Sequence, residues 1–87
     1  MSFLHLSVWF CYLDAYTYRI NSYCPETDYI EKHDELSKAK INCDKDESCT
    51  MVYDFGCDGN YWHTCSGLLK EHSKNGSCTW VKNTGII

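Results

Sequence analysis

The residues with the greatest scope for chemistry in this 87-residue chain are its seven cysteines. Thiols can pair as disulfides, bind a metal or act as nucleophiles. At about 8% of the residues, their density approaches that of short secreted chains held together by disulfides. The cysteines lie at positions 11, 24, 43, 49, 57, 65 and 78.

The spacing of these cysteines favours disulfides over metal binding. Structural zinc sites bring ligands in pairs two to four residues apart. Between Cys43 and Cys78, successive cysteines are separated by five, seven, seven and twelve residues. His63 lies two positions before Cys65, but one such pair does not make a metal site. The sequence therefore predicts disulfide bonds and no bound metal.

The chain also lacks the sequence signatures of enzymes. It contains no nucleophile elbow, zincin histidine pair, phosphate-binding loop or dinucleotide glycine pattern. His63 and Cys65 would share one face of a strand, but a disulfide-bonded Cys65 offers no thiolate. Residues 44–48 begin like a calcium-binding EF-hand loop, yet Cys49 stands where the glycine is needed. We predict a protein that is not an enzyme and carries no cofactor.

The start of the chain points to the secretory pathway. Residues 3–13 are mostly apolar, a length that suits a signal peptide and is too short to span a bilayer. We predict that residues 1–15 are a signal peptide, with a truncated leader as the alternative, and that residues 16–87 form a single domain. Cleavage would remove Cys11 and leave six cysteines that can all pair. A retained Cys11 would be a spare thiol or an intermolecular link.

Charge argues against two classes of partner, and a modification motif supports an extracellular location. The net charge is −4 and the eight basic residues are scattered, which argues against nucleic acid and against an electrostatically bound membrane surface as partners. Asn75, Gly76 and Ser77 form an N-glycosylation sequon, so Asn75 is a candidate glycosylation site.

Residue patterning predicts an α+β fold, a small disulfide-rich domain with one helix packed on a short antiparallel sheet. A helix is expected over residues 28–43, with Leu36, Ala39, Lys40 and Cys43 on its inward face. Asn75 and Gly76 form a hairpin turn signal before the last strand. Strands are expected over residues 16–22, 49–53, 61–65 and 77–82, with a turn region over residues 54–60.

The middle of the chain resembles the PAN/apple domain family. The resemblance rests on Leu36 and Ala39 before Cys43, and on Cys49, which follows after five intervening residues and opens a strand that ends at Tyr53 and Asp54. Cys24, Cys65 and the strand around Cys78 are similar to the family's first cysteine and closing strands. The similarity covers roughly residues 18–82.

This resemblance implies a particular set of disulfides and a role. Carried over to this chain, it pairs Cys24 with Cys78, Cys43 with Cys65 and Cys49 with Cys57. The residues alone leave fifteen pairings of six cysteines open. The family serves as a binding module in larger extracellular proteins, so the resemblance implies adhesion or recognition.

Aromatic residues and one loop are the candidate binding residues. Trp62 would lie on the face of its strand opposite Cys65, which makes it the best candidate for an exposed contact, with Tyr61 beside it. Asp58 and Asn60 offer polar contacts from a glycine-containing loop. The alternative for this loop is a tight turn whose Asp and Asn bond their own backbone. Trp80 shares a face with Cys78 and is expected in the core.

The sequence thus predicts a secreted or extracellular binding module that recognises protein or carbohydrate. We expect a monomer or part of a larger extracellular protein, without membrane insertion once the signal peptide is cleaved. Two alternatives remain open. One is a secreted toxin or inhibitor on the same scaffold, and the other is a structural secreted protein without a specific ligand, cross-linked through Cys11.

Overall fold

A computed structural model describes residues 15–83 of the chain. The predicted signal peptide, Cys11 included, lies outside the described residues except for its last position. Within the described part, the chain forms one α-helix, seven strands and two 3-10 turns. In chain order these are β1 (Tyr16–Ile20), β2 (Ser22–Tyr23), a 3-10 turn (Glu26–Asp28), β3 (Tyr29–His33), α1 (Leu36–Lys45), β4 (Met51–Asp54), a 3-10 turn (Phe55–Cys57), β5 (Trp62–Cys65), β6 (Lys70–Glu71) and β7 (Cys78–Lys82).

Five of the strands form one antiparallel sheet in the order β1-β7-β4-β5-β3, and β2 pairs with β6 in a small second sheet. The central strand β4 places Met51 opposite Val81 on one side and opposite Cys65 on the other. The small α+β domain with one helix on an antiparallel sheet, as predicted from the sequence, is confirmed.

Helix α1 covers one face of the sheet. Ala39 and Cys43, both fully buried, pack with Cys49 and Val52. Because Ala39 and Cys43 are four residues apart, they lie on the same side of the helix, as the apolar spacing predicted. Half-buried hydrophobic side chains complete this cluster: Tyr16, Leu36, Trp62 and Trp80.

The other face of the sheet is covered by the segments around β2 and β6. Cys24, Met51, Tyr53 and Cys65 form its buried cluster. Tyr23, Tyr29 and Leu69 pack against this cluster as half-buried neighbours. Both faces of the central strands are therefore covered, and all four residues of β4 are buried.

The predicted helix over residues 28–43 is wrong in its first half. Tyr29–His33 is strand β3, and the helix begins only at Leu36, after Glu35 in an extended conformation. The segment contains an aromatic residue, a β-branched residue and charged residues, which suit an edge strand, and it pairs with β5. Pairing across the sheet therefore outweighs the helix signal before Leu36.

The Asn75-Gly76 turn does not form the expected hairpin. The strand before it, β6, pairs with β2, whereas β7 pairs with β1 and β4. Gly76 takes a left-handed conformation with φ of 68°. The turn thus redirects the chain from the small sheet into the large one.

Three disulfides hold the described residues together, and all six cysteines predicted to pair do so. The bonds join Cys24 to Cys65, Cys43 to Cys49 and Cys57 to Cys78. The pairing implied by the PAN/apple resemblance, with Cys24–Cys78, Cys43–Cys65 and Cys49–Cys57, is wrong for all three bonds.

The sheet explains the difference. Cys43 and Cys49 belong to the cluster beneath α1, whereas Cys65 points to the opposite face and meets Cys24 there. A bond between Cys43 and Cys65 would have to cross the sheet. Cys78 lies opposite Asp54 at the end of β4, and the tight turn that follows brings Cys57 back to it.

A candidate binding groove beside Tyr61

The register of β3 and β5 creates a groove at one edge of the large sheet. His33 lies opposite Trp62 and Lys32 opposite His63, so the end of β3 meets the start of β5. Tyr61 immediately precedes β5 and lies at this junction. The resulting groove has a volume of about 460 Å³ and is lined by Lys32, His33, Asp34, Lys38 and Tyr61.

The Tyr61 ring is held in place from two sides. The Lys32 ammonium lies 4.2 Å from the centre of the ring, in cation–π contact. The His63 ring meets the Tyr61 ring edge-on, with 5.4 Å between centroids. Such contacts are worth about 0.5–1 kcal/mol each at partly exposed sites. The ring is thus presented in a defined orientation at the groove.

The charged side chains of the groove are only weakly engaged with one another. Lys38 Nζ lies 3.5 Å from Asp34 Oδ1 and 3.9 Å from Glu35 Oε2, and all three side chains are more than half exposed. Exposed pairs of this kind contribute about 0–1 kcal/mol. A ligand can therefore displace these ion pairs with little loss of free energy. The groove offers it both positive and negative charges.

Behind the groove, His63 is built into an aromatic stack. Its ring lies 3.9 Å from the Tyr29 ring and nearly parallel to it, and the Tyr53 ring lies 6.4 Å away. Burial, followed by the nearby charge of Lys32, lowers the pKa of His63 below its ordinary value. Burial likewise raises the pKa of the Tyr29 hydroxyl to about 12. The neutral imidazole supports Tyr61 from behind.

Trp62 does not form the exposed contact predicted from the sequence. It does lie on the face opposite Cys65, but α1 covers that face, and Trp62 packs half-buried against the cluster that contains Ala39 and Val52. Its Nε1 is buried and has no hydrogen-bond partner among residues 15–83. Strand alternation correctly separated the two faces and could not show that both are covered.

Asp58 and Asn60 lie in an exposed turn and bond to each other. The Asn60 backbone N–H donates to Asp58 Oδ1 at 3.1 Å, and Asn60 Nδ2 donates to Asp58 Oδ2 at 3.0 Å. The neighbouring Asp54 side chain is buried and accepts the Gly59 N–H through Oδ2 at 3.1 Å. Burial raises the pKa of Asp54. These bonds match the turn alternative, and the loop does not line the groove.

A second concavity, of about 330 Å³, lies on the opposite side of the sheet from α1. Local sequence pattern does not predict this concavity, because its walls come from three segments that are distant in the chain. Tyr53 lines it with its ring, and the Tyr53 hydroxyl lies 3.3 Å from Ser77 Oγ. The lining residues are Tyr23, Tyr53, His72, Ser73, Lys74 and Asn75.

Clusters of metal-ligand residues in the described part of the chain serve other purposes. Asp54 lies beside Cys57 and Cys78, but the two sulfurs are bonded to each other and offer no thiolate. In the loop that begins like an EF-hand, Asp46 Oδ1 accepts hydrogen bonds from the backbone and hydroxyl of Ser48 at 2.9 and 2.6 Å. Asp46 therefore closes its own turn.

No family model, curated protein or solved structure matches this chain. None of the helices formed by residues 15–83 has the length and apolar character required to cross a membrane.

Proposed function

We propose that this protein is a secreted or extracellular binding module whose contact surface is the groove beside Tyr61. Three disulfides in a domain this small support an oxidising compartment, because thiols inside cells are kept reduced. The PAN/apple resemblance of the sequence implies the same class of function, recognition outside the cell, although the disulfide pairing that it implies is not the one formed here.

The observation that carries this proposal is the composition and geometry of the groove. A held tyrosine ring, two lysines, a histidine and an aspartate face one concave volume at a sheet edge. Tyrosine is among the residues that supply most of the energy at protein interfaces, and charged groups around it set orientation and partner choice. The arrangement suits a polypeptide segment that carries an apolar anchor and charges of both signs.

Carbohydrate is the other ligand class for this surface. Sugars stack on exposed tyrosine rings and take hydrogen bonds from charged side chains. The charge content of the groove favours protein as the ligand. Lys32, Asp34 and Lys38 can form ion pairs with a polypeptide, whereas a neutral sugar has no charged groups to pair with them.

The test compares the wild-type protein with groove variants on a glycan array and a panel of extracellular receptor domains. Tyr61→Ala removes the ring, and Lys38→Glu inverts one charge. Leu68→Ala is the matched control, because Leu68 is 80% exposed and does not line the groove. We expect the Tyr61 variant to weaken binding tenfold or more, as for a contact worth about 1.4 kcal/mol. The Leu68 variant should bind as the wild type does.

Either of two results would contradict the proposal. One is a bound ligand whose affinity is unchanged by both groove variants. The other is a mature secreted protein that is a disulfide-linked dimer through Cys11 and binds nothing on either panel, which would support the structural alternative. Inhibition of a protease or channel by the purified protein would support the toxin or inhibitor alternative.

A further inference from the structure

The sequon at Asn75 lies in a turn whose hydrogen bonds engage only one end of the asparagine side chain. Asn75 Oδ1 accepts the hydroxyls of Ser73 and Ser77, each at 2.8 Å. The structure records no bond from Asn75 Nδ2 to any residue between 15 and 83, and Asn75 is exposed. The atom that would carry a glycan is thus the one that the fold leaves accessible.

Ser77, the third residue of the sequon, is fully buried. Its hydroxyl accepts the Gly56 N–H at 2.8 Å and bonds to Asn75. A transferase that must engage the sequon hydroxyl cannot reach it in the folded domain. Modification therefore has to precede the closure of this turn, while the chain is still entering the secretory pathway.

Asn75 also lines the 330 Å³ concavity on the face opposite α1. Its lining includes the half-buried Tyr23 and the buried Tyr53, together with the polar residues His72, Ser73 and Lys74. A mixture of aromatic faces and hydrogen-bonding groups is the lining that a sugar ring requires. Because Asn75 lines this concavity, a sugar attached to its side chain starts close to it.

We propose that Asn75 is N-glycosylated and that the first sugar of its glycan packs into the concavity against Tyr23. In the transfer, the sugar's C1–O bond to a lipid-linked diphosphate breaks and a C1–Nδ2 bond forms. The diphosphate leaves with the electron pair, and the amide loses one proton. This inference rests on the proposed extracellular location. It is independent of the groove beside Tyr61, which shares no lining residue with the concavity.

Occupancy is tested by directing the full chain into a eukaryotic secretory host with a host signal peptide. We expect a mass increase that glycosidase treatment removes, with the modified peptide mapped to Asn75. Asn75→Gln should abolish the increase, and Ser77→Thr, which keeps the sequon, should retain it. A secreted, fully disulfide-bonded wild-type protein with no sugar at Asn75 would overturn the proposal.

Packing of the sugar is tested by thermal unfolding. The glycan is trimmed to its first sugar, and this form is compared with unglycosylated protein of the same sequence made in an oxidising bacterial compartment. We expect the sugar to raise Tm by about 4 °C, the shift that one added contact gives in a domain of this size.

The same comparison in the Tyr23→Ala variant isolates the contact. Tyr23→Ala lowers the Tm of both forms, because Tyr23 also packs against the Cys24 and Met51 cluster. The difference between the two forms should disappear in this variant. An equal difference with and without Tyr23, or no difference in the wild type, would refute packing in the concavity while leaving the groove proposal intact.

Discussion

His63 is a titratable side chain enclosed by aromatic rings. Tyr29 stacks on it from β3, Tyr53 from β4, and Tyr61 meets it edge-on. Its Nδ1 is buried and has no hydrogen-bond partner within residues 15–83. Burial disfavours the charged imidazolium, and the positive charge of Lys32 adds to this effect, which explains why the pKa of His63 lies below its ordinary value near 6.5.

This environment predicts a pH-dependent stability. Since the folded pKa of His63 is below the unfolded value, the unfolded chain binds more protons as pH falls below about 6.5, and the free energy of unfolding decreases. His63→Phe keeps the ring stack and removes the titration. We expect urea denaturation between pH 5 and 8 to show a flatter acid-side decline in the variant. Identical pH profiles for the variant and the wild type would contradict this assignment.

Trp62 and Tyr61 show that a sequence can predict the direction of a side chain in a strand but not its exposure. The alternation of β5 correctly placed Trp62 opposite Cys65, because side-chain direction in a strand depends only on sequence parity. Exposure depends instead on what covers each face. Helix α1 covers Trp62, whereas the edge strand β3 leaves Tyr61 beside an open groove. The sequence alone could not show that Trp62 is covered and Tyr61 is not, because this difference depends on the strand order.

The C-terminal end of α1 is bound to the sheet by side chains from two neighbouring strands, β1 and β7, on which Tyr16 and Lys82 lie opposite each other. Lys82 on β7 donates through Nζ to the carbonyl oxygens of Cys43 at 2.6 Å and of Asp46 and Cys49 at 3.3 Å. The Tyr16 hydroxyl on β1 reaches the Lys40 carbonyl oxygen at 3.0 Å. A positive charge at a helix C-terminus also interacts favourably with the helix dipole.

Replacing Lys82 should therefore loosen the helix from the sheet. We expect Lys82→Met, which keeps much of the side-chain length, to lower the free energy of unfolding by about 2 kcal/mol, since it removes charged hydrogen bonds to three carbonyl groups. Lys70→Met on the exposed strand β6 is the matched control and should have little effect. Equal losses in chemical denaturation of the two variants would show that Lys82 does not stabilise the helix end.

The elements themselves were predicted to different degrees. The inward face of α1 and the core strands β4, β5 and β7 can be predicted from the sequence. The signals for them, apolar spacing and β-branched residues, lie within a few neighbouring positions. The local pattern does not indicate strand β3, since Tyr29–His33 gains its conformation from pairing with β5, about thirty residues later in the chain. Lys82 as a helix cap has no local sequence signal, because its acceptors lie 33–39 residues earlier.

The three disulfides differ in the length of chain that each one closes. Their sequence separations are 41 residues for Cys24–Cys65, 21 for Cys57–Cys78 and 6 for Cys43–Cys49. In the chain-entropy model these closures correspond to about 4, 3 and 2 kcal/mol respectively. Such sums are comparable to the total stability of a small domain.

Removing the bonds one at a time should reveal this order. We expect the paired substitution of Cys24 and Cys65 by Ala to lower Tm most, that of Cys57 and Cys78 less, and that of Cys43 and Cys49 least. Thermal unfolding followed by circular dichroism measures the three variants against the wild type. The largest loss for the Cys43 and Cys49 variant would contradict the order. With all three bonds reduced, we expect the domain to lose its native chemical-shift dispersion.

The number of disulfides could be predicted from the sequence, but their pairing could not. Cysteine density indicates stapling because a short chain buries too little surface to be stable alone. Pairing depends on which face of the sheet each cysteine points to and on which strands are neighbours. The proximity of Cys57 to Cys78 exists only because β7 lies beside β4, a non-local arrangement that spacing does not encode.

The position of β7 has a consequence for biosynthesis. This strand separates β1 from β4 in the sheet, yet it is the last of the described strands to be made. At a translation rate of about 5–20 residues per second, Cys78 is synthesised roughly 1–4 s after Cys57, because it follows 21 residues later in the chain. During that interval Cys49 and Cys65 are available as wrong partners. Efficient maturation of this protein should therefore depend on a disulfide isomerase that reopens such early bonds, so that Cys57 can pair with Cys78 once it has been made.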